Sequence, residues 1–91
     1  MQIKLKEDIE IEEKEAYISR EIGALIIDYE TNKFYETNGT GTRIMQLLQE
    51  NKTFDEIIDV LYEEYDVERE AVYNDVKEFL EKLKKYNLLE E

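Results

Sequence analysis

The side chains able to do chemistry in this sequence are almost all carboxylates. Asp55, Asp59 and Glu63 recur at i, i+4 and i+8, a spacing that places them on one helical face. Such a row can ligate a hard cation or serve as a general acid and base. With 24 acids in 91 residues the spacing is expected by chance, no loop resembles an EF-hand, and a solvated charged face explains it better. There is no His, no Cys and one Ser, Ser19, so imidazole and thiolate metal sites and the usual nucleophile–base pairs are excluded. Gly39-Thr40-Gly41 is the one candidate phosphate loop. It lacks a third glycine and the Lys-Ser/Thr of a P-loop, so capping and close packing account for it. The sequence predicts a non-catalytic binding module with no metal and no cofactor.

Charge and size narrow the partner. Twenty-four acidic against 12 basic residues leave a formal charge of −12, which repels phosphate backbones and anionic headgroups; nucleic acid is not an expected partner. The longest uncharged apolar run, residues 22–27, is far below the ~20 residues that span a bilayer, so no membrane insertion is expected. The absence of Cys fits a reducing compartment, with the cytoplasm as the default. At this length one domain over residues 1–91 is predicted, and seven Tyr and three Phe supply the aromatic content that a disordered acidic chain would lack.

The patterning predicts the elements that must form any binding surface. Residues 8–12 alternate acidic and Ile, the period of a half-buried strand. Residues 23–29 and 34–37 read as a hairpin joined by Glu30-Thr31-Asn32-Lys33. Asn38 is a candidate N-cap for a short helix to about Glu50, carrying Ile44, Leu47 and Leu48. Thr53 with Glu56 forms a capping box before an apolar face of Phe54, Ile57, Ile58, Leu61, Tyr62 and Tyr65. A third helix, about Glu68 to Tyr86, places Val72, Val76, Phe79, Leu80 and Leu83 on one stripe, with acids early and Lys82, Lys84 and Lys85 late. Asn87 suits the left-handed position that ends a helix and would fold Leu88 and Leu89 onto the core. The fold class is therefore α+β, a three-stranded antiparallel sheet followed by three helices, winged helix-turn-helix-like. DNA reading is disfavoured by Glu68, Glu70 and Asp75 in the N-terminal half of the third helix.

Three stretches together resemble the PqqD-like proteins, the recognition elements of ribosomally made, post-translationally modified peptides. They are Phe34-Tyr35-Glu36-Thr37-Asn38 leading into Thr40-Gly41-Thr42-Arg43-Ile44; Thr53-Phe54-Asp55-Glu56-Ile57; and Tyr65-Asp66-Val67 followed by Asp75-Val76 and Phe79-Leu80. The ending Leu83, Asn87, Leu88, Leu89 is similar to the family's Leu-x-x-x-Gly-Leu-Leu, with Asn87 in place of glycine. The resemblance implies a module that binds the leader of a precursor peptide as an added strand and delivers it to a modifying enzyme such as a radical-SAM protein, a protease or a cyclase. It implies a leader site at Lys33, Phe34, Tyr35, Glu36, Asp75, Val76, Phe79 and Lys82. Two other readings compete: an acidic winged-helix partner of a transcription regulator, and a homo-oligomeric scaffold, a homodimer for instance, paired through an exposed strand edge.

Overall fold

The computed structural model describes residues 3–15, 22–37 and 39–90, so Asn38, the candidate N-cap, lies outside the described residues. The order is β1 (Ile9–Glu15), β2 (Ile22–Asp28), β3 (Lys33–Thr37), α1 (Gly39–Gln49), α2 (Phe54–Glu64) and α3 (Arg69–Lys85). The sheet is antiparallel in the order β1-β2-β3. Ile9 and Ile11 pack against the core while Glu10 and Glu12 face water, as the alternation predicts. β1 runs three residues further than the alternation does, because Glu13, Lys14 and Glu15 still pair with Ala24, Gly23 and Ile22. Ladder hydrogen bonds belong to the backbone and persist without apolar side chains.

The helices cover the face of the sheet that carries Ile26. One hydrophobic cluster joins Ile26 to Ile44, Met45, Leu47 and Leu48 of α1, Ile57, Ile58 and Leu61 of α2, Val72, Val76 and Leu83 of α3, and Leu88. The capping box forms as the sequence indicates: the Thr53 hydroxyl accepts from the Glu56 N–H at 3.2 Å and the Glu56 carboxylate accepts from the Thr53 N–H at 2.9 Å. That second bond holds the Glu56 carboxyl below its usual range. The apolar face of α2 is narrower than the pattern suggests, since Tyr62 and Tyr65 remain 45% and 37% exposed. Tyr62 instead carries the Arg69 guanidinium over its ring, 5.6 Å from the centroid, and Arg69 pairs with Asp59. This engages one member of the Asp55, Asp59, Glu63 row in a surface ion pair.

Two helices end in the same way. Asn51 and Asn87 adopt φ of 62° and 58°. Beyond α1, Asn51 N–H donates to Leu48 and Lys52 N–H to Leu47; beyond α3, Asn87 N–H donates to Lys84 and Leu88 N–H to Leu83. These paired bonds satisfy the last helical carbonyls and turn the chain sharply. After α3 the turn buries Leu88 completely and lays Leu89 opposite Leu5 as an isolated bridge. No helix among the described residues is long and apolar enough to cross a membrane.

Candidate functional site

β3 is short and pairs with β2 on one side only, so its other backbone edge is left without a strand neighbour among the described residues. Beside that edge lies a groove of about 500 Å³. Phe34, Tyr35, Glu36 and Thr37 of β3 line one side, and Phe79, Lys82 and Leu83 of α3 with Tyr86 line the other. Ile26 and Leu88, both fully buried, contribute its apolar interior.

Each wall follows from local rules. The two-residue period of β3 turns Tyr35 and Thr37 partly inward, while Phe34 stays 65% exposed and Glu36 lies in water. On α3, positions 79, 82, 83 and 86 fall on one side of the helix at the i, i+3, i+4 and i+7 spacings. Tyr86 is the C-cap residue of α3, and its ring stacks obliquely on Tyr35 with centroids 4.8 Å apart. This contact joins the two walls at one end of the groove. The lining is mostly aromatic and aliphatic. Lys82 and Glu36 are its two charged members, one of each sign.

Five of the eight residues that the family resemblance points to meet here: Phe34, Tyr35, Glu36, Phe79 and Lys82. Three do not. Lys33 begins β3, where it pairs with Asp28, and is exposed outside the lining. Val76 has no exposed surface and packs in the core. Asp75 lies one turn beyond Phe79, in a separate small cleft of about 120 Å³ with Thr40, Leu61, Tyr65, Val67 and Val72. Ile26, Thr37, Leu83, Tyr86 and Leu88 belong to the groove but are not among those eight. The left-handed Asn87 is the sequence signal that could have found Leu88, since it directs the next residue back onto the fold.

The arrangement offers a strand edge with no strand neighbour among the described residues, beside an apolar trough, which is the geometry for holding an extended polypeptide. Comparison with known proteins points the same way. Residues 23–89 match the family of coenzyme PQQ synthesis protein D (PqqD). The chain is similar to the solved structure of TbiB1 in complex with the TbiA(beta) leader peptide, with 31% sequence identity, a TM-score of 0.78, and coverage of 96% of this chain and 94% of that one. A lasso peptide synthetase B1 complexed with its leader peptide shares the fold at 19% identity, with a TM-score of 0.79 over 100% of both chains. No curated protein matches the chain.

Proposed function

The chain belongs to the PqqD family, and on that premise we propose that it binds the leader segment of a ribosomally made precursor peptide and presents it to a separate modifying enzyme. The leader adds to the free edge of β3 as a further antiparallel or parallel strand. Its alternate side chains enter the trough between β3 and α3. Backbone bonds supply affinity that is tolerant of sequence, and the aromatic lining formed by Phe34, Tyr35, Phe79 and Tyr86 selects apolar leader residues. Residues 1–91 act as one recognition domain in the cytoplasm, without catalysis of their own. The partner that performs the chemistry is a radical-SAM protein, a protease or a cyclase. The observation that carries this reading is the β3 edge, without a second strand neighbour among the described residues, lying alongside a 500 Å³ apolar groove.

Fluorescence polarisation tests it, using the labelled leader of any precursor encoded nearby and a scrambled version of the same peptide. Saturable binding of the true leader, with backbone amide shifts confined to β3 and α3, is the expected result. Equal binding of both peptides, or shifts that spare β3, would overturn strand addition. A concentration series in the ultracentrifuge then shows whether a second copy competes for the same edge.

A further inference from the structure

The Thr40-Gly41-Thr42 stretch stands out in the sequence, yet neither Gly41 nor Thr42 lines the groove. Both touch its walls from behind. A Cβ placed on Gly41 would lie 2.8 Å from one ring carbon of Phe79 and 3.4 Å from two more. The Phe79 ring can therefore rest against α1 only because position 41 has no side chain. Gly39, two residues earlier, has nothing within 4 Å of the corresponding point. On the other wall, the buried Thr42 hydroxyl is 2.8 Å from the hydroxyl of Thr37, a groove-lining residue of β3. One turn of α1 thus contacts the α3 wall through Gly41 and the β3 wall through Thr42.

We propose that Gly41 and Thr42 are positioning residues that set the width of the groove, and thereby the size of apolar leader residue it accepts. Gly41 lets the Phe79 ring sit back toward α1, and Thr42 fixes where β3 stands opposite it. A methyl group at position 41 meets the Phe79 ring closer than carbon atoms can approach. The half-buried ring must then move away from α1, into the open groove that it lines. The groove narrows at Phe79 and larger leader side chains are excluded before smaller ones. This inference rests on the leader-recognition reading for its binding consequence and on the geometry alone for the ring displacement.

The test uses the full chain and four variants: Gly41→Ala, Gly39→Ala, Phe79→Leu, and Gly41→Ala combined with Phe79→Leu. In the absence of peptide, isotope-edited NOEs from the Phe79 ring to Tyr35 and Thr37 should strengthen in Gly41→Ala and stay unchanged in Gly39→Ala. Both glycine changes add a helix-favouring methyl, so Gly39→Ala controls for propensity. With a leader that the wild type binds as probe, taken from any precursor encoded nearby, Gly41→Ala should weaken binding by at least about tenfold, the scale of an overpacked contact. The loss should shrink for a leader whose largest apolar residue is replaced by Ala. The double variant should bind as Phe79→Leu alone does, because the smaller side chain removes the clash. An unmoved ring in a folded Gly41→Ala protein overturns the proposal, as does a double variant whose losses simply add. If the wild type binds no leader, the recognition reading fails instead, and the NOEs still decide whether Gly41 sets the groove.

Discussion

Two clefts of similar volume share the segment 87–89 as a wall and differ in almost everything else. The groove between β3 and α3, about 500 Å³, takes Leu88 from that segment together with Phe34, Tyr35, Phe79 and Tyr86. The other, about 560 Å³, takes Asn87 and Leu89 together with Lys6, Glu7, Asp8, Glu30 and Glu90. Lys6 and Glu30 already form an ion pair there at 3.7 Å. Volume alone does not distinguish a binding site. The first cleft gives an apolar side chain somewhere to leave water, and the second surrounds it with charged groups that a ligand would have to desolvate. The first also runs along the edge of β3, whose residues 34–37 line it and can register a peptide.

The most severe way to break this comparison is to remove the wall. Leu88→Ala empties a fully buried position and should cost about 2–5 kcal/mol of stability, read from the shift in urea midpoint. An unchanged midpoint would mean that the C-terminal segment does not separate the clefts. Next, Phe79→Ala should weaken leader binding by about 30-fold, as loss of a central aromatic contact does. Lys6→Ala in the polar cleft should change it by less than about twofold, and a comparable loss there would erase the distinction. Asn87→Ala keeps the lining of the first groove but forces a Cβ-bearing residue without a side-chain amide into φ near 58°. A loss of about 1 kcal/mol is expected by thermal unfolding, with leader affinity of the folded fraction retained.

The smallest effect lies outside both clefts. Arg43 donates from its Nε and Nη2 to the Glu64 carboxylate at 2.9 and 2.7 Å and holds that carboxyl below its ordinary value of 4.5. A depressed folded-state value means that the pair's contribution is complete above the ordinary value. It is lost as pH falls through the lower one. Glu64→Gln should flatten that part of the acid-unfolding curve and leave leader binding at neutral pH untouched. Solvent screening keeps the change modest.

Legibility in the sequence followed the range of the physics involved. The capping box at Thr53 and Glu56 and the left-handed turn at Asn87 involve neighbours within a few residues, and both form as the sequence indicates. The β1-β2-β3 sheet followed by three helices was likewise readable from period and turn chemistry. The groove required more than period. Asp75 and Phe79 lie four positions apart on α3, so periodicity groups them, yet about 6 Å of helical rise separates them and only Phe79 reaches the groove. Where a strand stops relative to a helix is a tertiary fact. Val76 shows the same limit, since an apolar stripe does not reveal which member is sealed inside and which forms a wall. Tyr86 was read only as the end of a helix, and its stacking on Tyr35 depends on how closely α3 approaches the sheet.

The bridge between Leu5 and Leu89 has a consequence for how the fold can be joined to other proteins. Lys6 N–H donates to the Leu88 carbonyl and Glu90 N–H to the Lys4 carbonyl, so residues 4–6 and 88–90 run side by side. Among the described residues, the stretch that leads into the sheet and the stretch that follows α3 therefore lie side by side. A host protein could receive the whole unit within a single surface loop, with its own flanking strands held only a few ångströms apart, and a circularly permuted version would need only a short connection across that gap.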